Sequence, residues 1–349
     1  MEKNITKRTK KKILVVGHFG YKIDQIGGQT IKTRNVYNML QSKQYLMGAN
    51  YFDTQELRVG YKSIAKFVRK IIRTDLIIII PANNNLKYLF PIIYLYSKIA
   101  NKKIIMIAVG GYLDLFLKDK YIIKKMVSDI KIVMPQTESL CKRLIDETGL
   151  KNVETLHNFK LHNHKPVVDN KTTILRVVYL ARIKRSKGYE AIFRLAKYLH
   201  ERRMEDIVID FYGPIEKEDF EHFHDHLENQ NIVRYKGIVA SDQVHKTLSE
   251  YDVMIFPTQY PGEGFPGTIL DAYIAGIPVI TTNWKDLPEF IEEGRTGYVY
   301  NIEKEDEMYG FVSSLHNNRE LLNTMKLAAH DKSQEYSAEK AWEIIKKYI

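Results

Sequence analysis

Cysteine is all but missing from this chain of 349 residues: Cys141 is the only one. An intrachain disulfide and a thiolate metal cluster are both excluded, which suits a reducing compartment. No run of about 18 apolar residues occurs, so no segment reads as a bilayer-spanning helix. The nearest are LIIII at 76–80 and LKYLFPIIYLYSKIA at 86–100. The first has the pattern of a buried parallel strand, and the second is interrupted by Lys87, Pro91 and Lys98. The opening MEKNITKRTKKKILVVGHFG is basic and then apolar, yet Ile13 to Val16 is too short for a secretory h-region and reads as a first strand behind a basic tail. Asp-x-Asp, His-Glu-x-x-His, Gly-x-Ser-x-Gly, the P-loop pattern and Cys-x-x-Cys are absent too. With them go the usual signatures of a paired-carboxylate metal site, a zinc peptidase, an α/β hydrolase, a P-loop NTPase and a dithiol oxidoreductase.

Charge is present in excess and unevenly. Residues 1–163 hold 29 Lys and Arg against 12 Asp and Glu, whereas the remainder holds 24 against 30. A half with net charge +17 joined to one of −6 meets a different partner, and an anionic surface is the natural one for the basic half. Two segments carry much of that charge. GYKSIAKFVRKIIR (60–73) sets Ile64, Phe67, Val68, Ile71 and Ile72 on one side of a helix bordered by lysines and arginines, and KDKYIIKKMVSDIK (118–131) is a shorter version. Each alone fits a core-facing helix with a solvated basic face. Both together with the basic tail point to an anionic membrane surface. No RNP-like, helix-turn-helix or interleaved aromatic–basic pattern supports a nucleic acid instead.

Short β-branched runs alternate with helical patterns along the whole chain. Strands are expected at 13–17, 75–80, 103–108, 130–134, 175–181, 206–212, 232–235, 252–256, 278–281 and 297–300. Helices are expected between most of them, and a last one at 332–348. Such alternation builds βαβ units on parallel sheets. The polar stretch LHNFKLHNHKPVVDNK (156–171) breaks the rhythm. The expected layout is a domain at 1–163, a second at 164–331 and a terminal segment, 332–349, that packs back on the first.

Chemistry-bearing residues fall just after expected strands, where parallel sheets bind ligands. In KIDQIGGQTIKTR (22–34), Gly27 and Gly28 precede a helix, either as a plain turn or as bare backbone that lets an anion reach the helix start. In VVYLARIKRSKGYEAI (177–192), Arg182 and Lys187 flank the next helix start, either as a solvated basic loop or as two fixed cations for a diphosphate. In PTQYPGEGFPGTILDAYIAGIPVITT (257–282), Thr268 and Asp271 have capping-box spacing, so Asp271 either caps its helix or faces a ligand. Gly276 and Pro278 stop that helix. Glu263 precedes the turn, cannot cap the helix by that route, and has no structural role legible in the sequence. His222 and His226 sit at helical spacing without a third ligand nearby and read as an exposed helix face. His157, His162 and His164 read as solvent-facing, and His18 as an ordinary strand-end histidine near the ligand side.

Taken in order, YLARIKRSKGYEAIFRLAKYL, VRYKGIVASDQVHKTLSEYDVMIFPT and GEGFPGTILDAYIAGIPVITTNWKDLPEFIEEGRTGYVY resemble the C-terminal half of glycosyltransferase family 4. The likeness is strong over about 174–300; toward the N-terminus it rests on element order and the Gly27-Gly28 loop. It implies a GT-B fold, α/β, with two Rossmann-like doubly wound domains facing each other across a cleft. It also implies retaining transfer of a sugar from a nucleotide-sugar donor, UDP- or GDP-linked, with no metal or other cofactor. By the same resemblance Arg182 and Lys187 hold the donor diphosphate and Glu263 contacts donor sugar hydroxyls. Asp271 stands where the family's second acid meets the ribose. The N–H groups of Phe265, Gly267 and Thr268 face the donor, and Gly28 approaches the diphosphate. This chain departs from the pattern in three places: the second acid is Asp, Pro266 replaces a glycine, and Gly110-Gly111 stands where relatives often have a histidine. The acceptor that fits is a saccharide, lipid-linked, in capsule, exopolysaccharide or lipopolysaccharide assembly at the inner face of the cell membrane. A nucleotide-sugar-binding partner subunit without activity of its own is the alternative.

Overall fold

The computed structural model describes residues 11–21, 27–43, 47–58, 61–82, 84–162, 164–166, 173–228 and 230–349. The basic tail at 1–10 and the first part of the 22–34 loop lie outside them. The described residues form two compact units, 1–161 with 338–349, and 162–337. The second unit thus runs to Ser337, past the boundary expected at 331.

In the first unit the elements are β1 (Lys11–Gly17), α1 (Gly28–Ser42), β2 (Met47–Asp53), α2 (Tyr61–Ile72), β3 (Leu76–Ile80), α3 (Phe90–Ile99), β4 (Lys103–Ile107), α4 (Leu113–Lys118), α5 (Tyr121–Ser128), β5 (Ile132–Met134) and α6 (Glu138–Asp146). All strand pairs are parallel, in the order β2-β1-β3-β4-β5. Burial of both sheet faces explains why β1 and β3 read as unbroken apolar runs. One face packs against α2 to α6 through residues such as Phe67, Phe90, Leu117 and Leu140. The other packs against α1 and a terminal helix whose Ala338, Ala341 and Ile345 lie in the same core as Val36 and Leu40. Strand β2 was not expected, because MGANYFD lacks a β-branched run; it gains its place by pairing along β1.

A cationic side chain is buried in that second layer. Lys32 of α1 is 3% exposed and donates from Nζ to the carbonyls of Leu156 at 3.0 Å and His157 at 3.3 Å. Burial lowers its pKa from 10.5 to about 7. From about pH 7 to 10.5 the unfolded chain therefore binds more protons than the folded one, so this group makes stability rise with pH and withdraws that gain as pH falls toward 7. Lys32→Met is expected to flatten the pH dependence of the urea midpoint between about pH 7.5 and 9.5. An unchanged slope would refute this assignment.

In the second unit the order is β6 (Leu175–Leu180), α7 (Tyr189–Glu201), β7 (Ile207–Tyr212), α8 (Phe220–Glu228), β8 (Val233–Tyr235), α9 (Val244–Leu248), β9 (Val253–Phe256), α10 (Gly267–Ala275), β10 (Val279–Thr282), β11 (Gly297–Tyr300), α11 (Glu305–Asn317) and α12 (Arg319–Ser333). The six strands are parallel in the order β11-β10-β9-β6-β7-β8. Two layers of helices sandwich them, with separate apolar cores on the two sheet faces. Helix α12 is the element the sequence reading passed over; Asn318 caps it by accepting from the Leu321 N–H. The single helix expected at 332–348 is instead the end of α12, a short 3-10 turn and α13 (Ala338–Ile345).

Candidate functional site

Strand order in the second sheet reverses between β6 and β9. Open parallel sheets bind ligands beyond the carboxyl ends of their strands at such a reversal. Two loops lie there, 181–188 after β6 and 257–266 after β9, and they are tied together: the Gln259 N–H donates to the Ser186 carbonyl at 2.9 Å. Gly188 makes the junction tight. Its φ is +77°, and a Cβ there would fall inside contact distance of the Pro257 carbonyl oxygen. The backbone that carries Lys187 is thereby pressed onto the start of the second loop.

Lys187 and Glu263, 76 residues apart in sequence, form an ion pair through Nζ and Oε1. Both are largely sequestered, with side chains 16% and 9% exposed. Thr258 Oγ1 donates to the same Glu263 oxygen at 3.1 Å, and the ammonium of Lys187 lies 4.7 Å from the centre of the Tyr260 ring. Glu263 therefore does have structural partners, contrary to the sequence reading, which saw none. Arg182 stands apart from this pair. It is 59% exposed and bonds Glu216 Oε1 at 3.0 Å. Its carbonyl accepts from the buried Tyr179 hydroxyl at 3.0 Å, and burial raises the Tyr179 pKa well above its ordinary value, keeping it a neutral donor.

Helix α10 begins at Gly267, with extended Pro266 as its N-cap and no side-chain cap. Its first-turn N–H groups, those of Gly267 and Thr268 among them, precede the intrahelical ladder. The capping box is not formed: Thr268 Oγ1 donates instead to the Leu180 carbonyl at 2.7 Å, anchoring the helix start to the end of β6. Phe265 turns its ring into the core, stacked on Phe290 at 3.9 Å between centroids. Asp271, one turn into α10 and 7% exposed, is met at Oδ1 by His245 Nε2 of α9 at 2.8 Å. In the first unit Gly28 opens α1 behind an extended Gly27, and a Cβ on either would meet nothing within 4 Å. Neither packing nor a positive φ demands glycine at these two positions.

The histidines depart furthest from expectation. His162 and His164 are not solvent-facing: their rings lie 6.2 and 6.1 Å from that of His245, and His162 lies 6.4 Å from His330. His162 Nδ1 and His164 Nε2 are buried without a hydrogen-bond partner. Burial first, and then the neighbouring imidazoles, lower both pKa values. His157 is also engaged, with Nδ1 2.8 Å from the Gln136 carbonyl. His222, expected on an exposed helix face, is half-buried; its Nδ1 lies 2.8 Å from the Tyr189 hydroxyl and its Nε2 3.5 Å from Glu190. His226 Nδ1 bonds the His222 carbonyl at 2.9 Å. His18 faces the Gln55 amide at 3.2 Å. Among the described residues no group of three or more His, Cys, Asp or Glu is placed to hold a metal ion. Thr258, Tyr260, Glu216 and His245 escaped the sequence reading. Only Thr258 and Tyr260 had a signal, their position just after β9.

Comparison with known proteins adds the following. Residues 162–332 match the family model described as glycosyl transferases group 1. An uncharacterized 41.2 kDa protein in the cps region of Klebsiella pneumoniae is 28% identical over 178 residues, 50% of this chain and 45% of that protein. The capsular polysaccharide biosynthesis glycosyltransferase CapM of Staphylococcus aureus is 29% identical over 156 residues, 43% of this chain and 38% of CapM. The chain thus spans less than half the length of these curated relatives. The crystal structure of Anabaena Alr3699/HepE in complex with UDP and glucose superposes with a TM-score of 0.73 at 14% identity, covering 97% of this chain and 98% of that one. The two parallel sheets with their helices match the GT-B architecture.

Proposed function

We propose that this protein is a retaining, metal-independent glycosyltransferase of family 4. It moves a sugar from a nucleotide-sugar donor to a lipid-linked saccharide acceptor in surface-polysaccharide assembly, at the cytoplasmic face of the cell membrane. The observation that carries this reading is the convergence of Lys187, Glu263 and the start of α10 at the strand-order reversal, inside the segment that matches the family model. The capsular relative supports the polysaccharide setting, and the UDP complex of the structural neighbour makes a uracil nucleotide the first donor to test.

In this reading Lys187 and Arg182 exchange their carboxylate partners for the donor diphosphate. Departure of the nucleoside diphosphate builds negative charge, and fixed cations with helix-start amides stabilise it as it develops. Glu263, released from Lys187, takes donor sugar hydroxyls, Asp271 takes the ribose, and Gly28 lets bare backbone approach the diphosphate. The leaving phosphate accepts the acceptor's proton, so no protein base is required.

A thermal-denaturation panel of UDP, GDP and their sugars tests this. A true donor nucleotide at about 100 times its Kd adds about 2.7 kcal/mol of stability. Asp271→Asn is expected to keep the unliganded midpoint and weaken the response. A flat response of the parent protein to every nucleotide overturns the assignment; a response without turnover, even with membrane extract present, makes the chain a binding subunit.

A further inference from the structure

One helical layer of the first unit is apolar on both sides. Helices α2 to α5 bury one side of each against the same sheet face, through residues that include Phe67, Ile71, Phe90, Ile93 and Val127. The sequence reading set Ile64, Val68 and Ile72 on the same side of the helix as Phe67 and Ile71, facing either a core or a membrane surface. The structure turns them outward, 52%, 45% and 54% exposed at a spacing of four. Over 85–99 the pattern repeats: Leu86, Leu89, Phe90 and Ile93 point in, whereas Tyr88, Ile92, Leu95 and Ile99 are 56% to 88% exposed. Tyr121 and Ile122 open α5 in the same way. Ten of the eighteen exposed large hydrophobic side chains among the described residues lie on α2 to α5 and the turn at 85–89, which together make up about an eighth of the chain. That density separates a built face from the scatter found on any surface.

The charge around this face is one-sided. Residues 61–72, 85–99 and 113–128 hold ten Lys and Arg and two acids, and one of those, Asp114, is buried against Arg143 at 2.7 Å. Lys62, Arg69, Lys87, Lys118 and Lys125 are exposed beside the apolar stripes. A second copy docked here by two-fold symmetry would set lysine rims against lysine rims. A bilayer with anionic headgroups meets both features, since apolar side chains enter the headgroup boundary while the cations remain at the phosphates. Tyr88 and Tyr121 have the amphipathic ring that such a boundary favours.

We propose that the outward stripes of α2, α3 and α5, with the turn before α3, form a face that docks on an anionic lipid bilayer. Insertion of Ile92, Leu95 and Ile99 supplies the apolar part of binding. The inference requires no sugar transfer, so it stands or falls separately from the donor site.

Flotation with vesicles of phosphatidylcholine containing 30% phosphatidylglycerol tests it, against pure phosphatidylcholine. The parent chain is expected to bind the anionic vesicles about 10-fold or more tightly, and less so at high salt. Replacing Ile92, Leu95 and Ile99 together by Gln removes only exposed side chains; it is expected to keep the melting midpoint and lower binding about 10-fold or more. Neutralising Lys62, Arg69, Lys118 and Lys125 to Gln is expected to erase the preference for anionic lipid. Three results would overturn the proposal. They are no vesicle binding by the parent chain, unchanged binding by the triple variant, or a parent dimer in sedimentation that the triple variant makes monomeric.

Discussion

Lys187→Ala is expected to lower turnover of the donor about 10²-fold or more, the scale on which loss of one preorganised charge-stabilising group acts. The ion pair with Glu263 makes the reading of that variant less direct than for an exposed lysine. Removing the cation leaves a carboxylate 9% exposed, still held by the Thr258 hydroxyl, and an uncompensated buried charge destabilises the loop by itself. Lys187→Ala with Glu263→Gln removes that complication. If the double variant recovers the stability lost in Lys187→Ala yet turns over well below Glu263→Gln alone, the lysine acts on the reaction. Recovery of turnover along with stability would assign it a structural role alone. Arg182→Ala supplies a contrasting case. Its guanidinium is 59% exposed and pairs on the surface with Glu216, so little stability is at stake, and its loss is expected to fall on turnover.

Gly188→Ala is expected to be among the most destabilising single substitutions in the chain, by about 3 kcal/mol or more. Two independent costs meet at one atom: a side chain forced to φ +77°, and a Cβ driven into the backbone carbonyl of Pro257, which has no rotamer by which to yield. A fall of about 6 °C or more in the thermal midpoint is the expected reading for a unit of this size. Gly28→Ala is the matched control. Open space surrounds it and it begins a helix, where alanine is the better residue, so its midpoint is expected to hold or rise. If the Gly28 backbone approaches a diphosphate, the same change weakens donor binding without touching stability. A drop in midpoint for Gly28→Ala would show that it serves the fold.

How much of this was legible beforehand depends on the range of the interaction involved. The first core strands were readable because ILVV and LIIII are apolar on both faces, which only a strand covered on both sides tolerates. Strand β2 was not, since nothing in MGANYFD distinguishes it until β1 offers a free edge. The stop of α10 was readable in Gly276 and Pro278, and Gly276 does take the left-handed C-cap. What anchors its start was not, because a Thr-x-x-Asp spacing is local whereas the Leu180 carbonyl that takes the Thr268 hydroxyl is 88 residues away.

The sequence by itself determined the alternation of parallel strands and helices, its polar interruption at 156–171, and the loops on which Arg182, Lys187 and Glu263 lie. Each follows from periodicity or turn chemistry within a dozen residues. The tertiary structure decided which groups meet: Lys187 with Glu263, Asp271 with His245, His162 and His164 with a histidine they never neighbour in sequence. It also divided α2 and α3 into an inner and an outer apolar side. A hydrophobic stripe shows that a helix has a face to cover, but only the packing of its neighbours fixes how much of that face the core takes and how much remains for another surface.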